Sequence, residues 1–297
     1  MFKNVLGNEK VRDLLVNSVR ENKVSHSYLF VGTEGIGKSL IAKEFAKMIL
    51  CTKKDNVYCD VCKSCIEFDT ANNPDFKVIE PDGNSLKIEQ IREFQSKVTE
   101  KPIISDRKVY IINDSDKMTP EAQNCLLKTL EEPPEFVTII LIGSSESDFL
   151  TTIKSRCMIL HFNKISNEEI QGFLEQKYQS KINSKIMIEA FQGSIGKAIL
   201  MKEKQEEYEK IEYIINNLES RDKIDILNMS DIIYKAKDEK FDILDYINIV
   251  LINLAKRSNK YSNCVKIVEE TKKRLKSNAN YDMCIDNMLF NLWEQVN

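Results

Sequence analysis

Gly32-Thr33-Glu34-Gly35-Ile36-Gly37-Lys38-Ser39 decides how the chain is read. The stretch fits G-x-x-x-x-G-K-[ST] at every position, with an apolar run before it (27–31, SYLFV) and a helical pattern after it (39–50). A phosphate-binding loop needs that context. Its glycines let the backbone curl so that N–H groups face phosphate oxygens, and the following helix adds the positive end of its dipole. Lys38 is expected to supply a charge to the β- and γ-phosphates, and the Ser39 hydroxyl to bind Mg²⁺. Gly32, Gly35, Gly37, Lys38 and Ser39 are thus the expected nucleotide-binding residues; the alternative is a chance match in a glycine-rich turn.

Outward from the loop, two more β-branched runs stand at 108–113 (KVYIIN) and 137–143 (VTIILIG), with helical patterns at 88–98 and 120–130. Short buried strands alternating with helices predict an α/β domain, its mostly parallel sheet covered on both faces. Asp114 follows the second run and is the expected Mg²⁺ partner through water, the alternative being that it caps a turn. NTPases of this type usually place a glutamate next to orient the attacking water. Ser115 stands there and is no base at neutral pH, while Asp116 is an imperfect substitute. The pattern reads as binding without efficient turnover.

Just beyond the loop helix, Cys51, Cys59, Cys62 and Cys65 form C-x7-C-x2-C-x2-C. Four thiolates at this spacing suit a closed tetrahedral zinc site, which has no open position for water and is therefore structural. An iron–sulfur cluster or buried thiols are the alternatives. The two histidines, His26 and His161, lie outside the insert, and Cys125, Cys157, Cys264 and Cys284 stand among apolar residues as expected core.

The 297 residues are 42% hydrophobic and 30% charged, ordinary for a globular chain of two or three domains. A formal charge of −3 excludes a protein that coats nucleic acid by itself. No apolar run approaches the roughly 20 residues that span a bilayer, and MFKNVLGNEK has no signal core, so a cytoplasmic protein with reduced thiols is expected.

The pattern turns helical from 164 to about 204, predicting a small second domain after an α/β domain at 1–163. All six prolines lie at or before Pro134 and the last glycine is Gly196, so 205–297 is expected to be helices joined by polar turns. Ile211, Ile214, Ile215 and Leu218 share one helical face, and Ile243, Ile247, Val250, Leu251 and Leu254 another. These stripes read as bundle core, or in part as contacts with partner subunits.

A phosphate loop followed closely by a four-cysteine knuckle resembles the AAA+ clamp-loader family of bacterial DNA polymerase III, which includes the gamma/tau and delta prime subunits. Three further stretches carry the resemblance across roughly the first 200 residues: 4–9 (NVLGNE), which is similar to the lead into the adenine region; 124–134 (NCLLKTLEEPP); and Ser155-Arg156-Cys157. The resemblance implies that 164–204 is a lid and 205–297 a collar joining subunits. It also implies that Arg156 is an arginine finger acting in trans, where the residues alone favour an ordinary surface or core-edge arginine, and that Ser144 is a sensor of the γ-phosphate. In Gly193-Ser194-Ile195-Gly196-Lys197 a glycine stands where active subunits carry a second sensor arginine; with Ser115 and the chain's length, this looks more like delta prime. The implied cofactors are structural Zn²⁺ and ATP with Mg²⁺. The implied partners are gamma/tau-type and delta-type subunits, the sliding clamp and primed DNA, with no membrane. An active gamma/tau-type ATPase, or a nucleotide-sensing adaptor outside replication, is the alternative.

Overall fold

A computed structural model describes residues 5–53, 57–83, 85–228 and 230–297; Asn4 of the 4–9 stretch and residues 54–56 of the cysteine insert lie outside the described residues. The chain divides into two compact units. One runs to Glu169 and includes Gly193–Gly196; the other comprises Ile170–Gln192 and Lys197–Asn297.

The first unit is built on a parallel sheet of β1 (Ser27–Val31), β2 (Phe76–Ile79), β3 (Lys108–Ile112), β4 (Val137–Gly143) and β5 (Met158–His161). The order is β2-β3-β4-β1-β5, with Leu29 opposite both Leu141 and Ile159, and Ile112 opposite both Leu141 and Ile79. β1, β3 and β4 are the three apolar runs, and they occupy the centre, where a strand buried on both faces has no polar alternation. β2 and β5 are four-residue edge strands, partly exposed, and neither was legible in the sequence.

Helices α1 (Glu9–Arg20), α2 (Lys38–Leu50), α3 (Lys63–Asp69), α4 (Ile88–Val98), α5 (Pro120–Glu131) and α6 (Thr151–Lys154) cover the sheet and its ends. Successive strand residues point to opposite faces. Tyr28, Phe30, Ile111, Ile140 and Ile142 pack with Leu15 of α1 and with Ile41 and Phe45 of α2. Leu29, Tyr110, Ile112, Ile139 and Leu141 pack with Ile91 and Phe94 of α4 and Leu126 and Leu130 of α5. The result is a three-layer α/β/α arrangement, and sheets of this kind hold ligands outside the carboxyl ends of their strands.

From α7 onward the described residues contain helices and no strand: α7 (Asn167–Tyr178), α8 (Lys185–Ala190), α9 (Ile195–Glu203), α10 (Gln205–Asn216), α11 (Lys223–Asn228), α12 (Asp231–Lys235), α13 (Lys240–Ala255), α14 (Cys264–Lys276) and α15 (Tyr281–Val296). Ile211, Ile214 and Ile215 of α10, Leu218 beyond it, and Ile243, Ile247, Val250 and Leu251 of α13 are all buried. Tyr208 and Tyr246 stack edge to face at 5.0 Å. Tyr246 and Ser184 both donate to Glu212 (2.7 and 2.9 Å), which satisfies a carboxylate next to this core. No helix among the described residues is long and apolar enough to cross a membrane.

One buried carboxylate ties the sheet edge to its surroundings. Asp75, just before β2, is 2% exposed and accepts the backbone N–H groups of Ile103, Ile104 and Ser105 at 2.7–2.8 Å. The Ser105 hydroxyl then donates to the Leu50 carbonyl at the end of α2 and meets the Ser64 hydroxyl in α3 at 3.0 Å. Asp75→Ala leaves three backbone donors without their acceptor, of which Ser105 N–H is buried, and is expected to cost about 2–3 kcal/mol in urea unfolding, with Asp75→Asn milder because it keeps an acceptor. A loss below about 1 kcal/mol for the alanine variant would remove this anchoring role.

Candidate nucleotide site and metal centre

Residues 32–39 run from the end of β1 into α2. Gly32 N–H donates to the Gly143 carbonyl (3.3 Å), so the loop starts beside the end of β4. Gly35 (φ 76°) and Gly37 (φ 95°) hold left-handed conformations that a side chain resists, and Gly37 caps α2. Lys38 is 7% exposed; its ammonium donates to the Gly32 and Thr33 carbonyls, the latter at 2.9 Å. Burial pulls its pKa below the ordinary lysine value, against the opposing pull of Asp116, Glu34 and Asp114, which thus lie around the same charge. Ser39 is half-buried in the first turn of α2. All five sequence-predicted loop residues are therefore together at the carboxyl end of the sheet.

The acids after β3 divide the work differently from their order in sequence. Asn113 continues the extended backbone, its N–H bonded to the Ile79 carbonyl (2.9 Å). Asp114 stands on a left-handed turn (φ 44°), and its carboxylate pairs with Lys117 at 2.8 Å. Ser115 is fully buried and its hydroxyl donates to the Ile142 carbonyl (2.8 Å), so it has a packing partner and faces no solvent. Asp116 turns back to the sheet, where the Ser144 hydroxyl and N–H (3.3 Å) both donate to it. Ser144 and Asp116, distant in sequence, are thus one hydrogen-bonded pair, and the Asp116 charge acts on Lys38.

Gly193–Gly196 closes the other side of the loop. Gly196 N–H donates to the Gly35 carbonyl at 2.9 Å. A Cβ at Gly196 would lie 3.2 Å from Gly35 Cα and 3.4 Å from its oxygen, and one at Gly35 would run into the Ser194 hydroxyl. Two backbones meet here, and a side chain at Gly196 would fit only if the loop gave by a few tenths of an ångström. The segment is held in turn by Ile165 N–H donating to the Gly193 carbonyl (3.1 Å), while Gly7 lies against the Ile165 side chain and Asn8 exchanges hydrogen bonds with Asn163.

Arg156 follows α6. Its carbonyl accepts the buried Ser27 hydroxyl at 2.6 Å and its N–H reaches Ile153 (3.0 Å), which fixes the backbone. Its guanidinium pairs with Glu131 at the end of α5 (2.6 Å) and donates to the Thr152 carbonyl (2.9 Å) and Ser155 hydroxyl (3.2 Å). The Glu131 partnership was not foreseen, although both residues stand in motifs singled out from the sequence.

The four cysteine sulfurs, from Cys51 at the end of α2, Cys59, and Cys62 and Cys65 at the start of α3, lie within 4.8 Å of one another. Tetrahedral zinc with Zn–S near 2.3 Å sets its sulfurs about 3.8 Å apart, so the donor set fits such an ion. Backbone N–H groups of Cys62 and Cys65 point at the sulfurs of Cys59 (3.2 Å) and Cys62 (3.5 Å), which favours thiolates. Burial pushes the Cys62 thiol up, but hydrogen bonds from Thr52 and the Cys65 backbone outweigh it and bring it well below the usual range. Burial and the neighbouring thiol hold Cys65 above it. A cation among the sulfurs favours the thiolate form of all four. Lys47 of α2, 8% exposed, bridges Asp60 (2.6 Å) and Asp69 (2.7 Å) and lies 4.5 Å from the Tyr58 ring, pinning the insert to α2. Burial alone would lower its pKa; the two carboxylates raise it instead. Of the other thiols, Cys264 and Cys284 are buried, and Cys125 and Cys157 half-buried against the sheet core.

A family model described as DNA polymerase III, delta subunit, matches residues 7–166. The chain is 37% identical over 165 residues to DNA polymerase III subunit delta' of Bacillus subtilis, covering 56% of this chain and 50% of that protein. It is 36% identical over 175 residues to subunit tau/gamma of Haemophilus influenzae, covering 58% of this chain and 25% of that protein. The chain thus spans half or less of the length of these curated relatives. A solved DNA polymerase III gamma subunit-related protein of Thermotoga maritima aligns over 97% of this chain and 99% of its own, at 17% identity and a TM-score of 0.49.

The metal centre makes a direct prediction. The purified chain is expected to carry one equivalent of zinc by elemental analysis, and Cys59→Ser or Cys65→Ser to lose it. Stoichiometric iron with visible absorbance would identify an iron–sulfur cluster instead.

Proposed function

Because the chain belongs to the DNA polymerase III delta-subunit family, we propose that it is a delta prime-like clamp-loader subunit. On this reading it binds MgATP through Gly32, Gly35, Gly37, Lys38 and Ser39, with Asp114 toward the metal. It turns ATP over slowly or not at all and presents Arg156 to nucleotide held by a neighbouring subunit. Residues 164–204 serve as lid and 205–297 as the collar that joins it to gamma/tau-type and delta-type subunits. The assembly loads the sliding clamp on primed DNA, meeting DNA through backbone phosphate and shape.

The observation that carries the weak-turnover reading is the contact of Gly196 with Gly35. A sensor arginine at 196 would press on the phosphate loop, which would have to give by a few tenths of an ångström. Ser115 adds to this, since its hydroxyl is committed to Ile142 and offers no base to a water. Without a group to orient water and a second arginine to bear developing charge, phosphoryl transfer lacks two of its usual supports. A second reading, an active gamma/tau-type ATPase, is favoured by Asp116, a carboxylate oriented by Ser144 whose charge acts on Lys38.

Two measurements separate them. The chain alone is expected to bind MgATP in a fluorescent-nucleotide titration, to lose that binding in Lys38→Ala, and to show no ATPase above background with or without primed DNA. Brisk turnover by the chain alone would establish the second reading. In a complex with a gamma/tau-type subunit, Arg156→Ala is expected to slow turnover at the site it serves by on the order of 10³-fold. Equal rates would remove the trans arginine.

A further inference from the structure

We propose that Glu131 is a competing ligand for Arg156, holding its guanidinium against α5 until nucleotide phosphate on a neighbouring subunit displaces the carboxylate. This rests on the trans-arginine reading above and adds to it a residue with a defined role in when the arginine is available.

The geometry has two parts that behave differently. The Arg156 backbone is fixed, with its carbonyl on the buried Ser27 hydroxyl and its N–H on Ile153. Its side chain is about a third exposed, and its partners Glu131, Thr152 and Ser155 lie beside it on the surface of the same chain. The only charge among them is the Glu131 carboxylate, itself about half exposed. An ion pair this open to water is worth no more than about 1 kcal/mol. A guanidinium held so weakly on a rigid mount exchanges its partner by side-chain rotation alone.

The direction of exchange follows from charge. Glu131 is the last residue of α5, where the partial negative charge of the helix end works against a carboxylate. Arg156 offsets that repulsion, which is why the pair forms in the isolated chain. A triphosphate presents several charged oxygens in the fork geometry that guanidinium matches, and outcompetes a single carboxylate. Released, Glu131 returns to water at small cost. Glu131 is therefore a positioning residue, acting on nucleotide only through Arg156.

The test uses the complex with a gamma/tau-type subunit, comparing kcat and KM for ATP in wild type, Glu131→Gln, Glu131→Asp, Arg156→Ala and the Glu131→Gln/Arg156→Ala double variant. Removing the competitor leaves the engaged state unchanged. Glu131→Gln should therefore lower KM by about two- to fivefold, the range of a surface ion pair, with kcat unaltered. Glu131→Asp keeps the charge and should stay near wild type, and the double variant should match Arg156→Ala. A merely structural Glu131 would move the melting temperature and leave KM in place. If Arg156→Ala is defective while Glu131→Gln leaves KM unchanged or lowers kcat, the competing role is overturned and the trans arginine stands. If Arg156→Ala has no effect, both fall together.

Discussion

The packing of α2 against the sheet is the interaction on which both sites depend. Ile41, Ala42, Phe45, Ala46 and Met48 are fully buried, and Tyr28 of β1 meets Phe45 edge to face at 5.2 Å. Large apolar side chains buried to this extent each contribute about 1.5–3 kcal/mol, so the helix has a single position available to it. Its first residue is Lys38 of the phosphate loop, and its C-cap is Cys51 of the metal centre. One rigid rod thus sets the ammonium at one end and the first thiol at the other. The far end is secured twice more, by Lys47 between Asp60 and Asp69 and by Ser105 on the Leu50 carbonyl. The metal insert is thereby continuous with the sheet edge, because Asp75 holds the backbone that carries Ser105.

What was legible in the sequence is what is local. The phosphate loop is eight consecutive residues, the four cysteines fall within fifteen, and β1, β3 and β4 are uninterrupted apolar runs because both their faces are buried. The stripes of α10 and α13 were readable for the same reason, a period kept over three turns. β2 and β5 were not, since four residues at a half-exposed edge carry too little alternation to stand apart from a loop. Contacts between distant stretches were not legible either. Ser144 with Asp116, Glu131 with Arg156, and Gly196 with Gly35 each join residues separated by more than 20 positions. Their residue types are unremarkable alone; only the fold makes them pairs. Asp114 shows the limit within a motif, because the sequence places it at a strand end while the left-handed turn directs its carboxylate to Lys117.

The groups around the phosphate loop fall into two physical classes, and the difference bears on what the site can do. Lys38 on the loop carbonyls and Asp114 on Lys117 are polar pairings, each between groups that a polyphosphate and its Mg²⁺ can replace partner for partner. Replacing them loses little, because the new ligand offers more charge in the same geometry. The approach of Gly196 to Gly35 is of another kind. It is backbone against backbone: a Cβ at Gly196 would lie 3.2 Å from Gly35 Cα, so a side chain there asks the loop or the segment to give by a few tenths of an ångström. The polar groups of the loop can thus exchange partners by side-chain rotation, whereas the approach of Gly196 to Gly35 is set by two backbones and changes only if one of them moves.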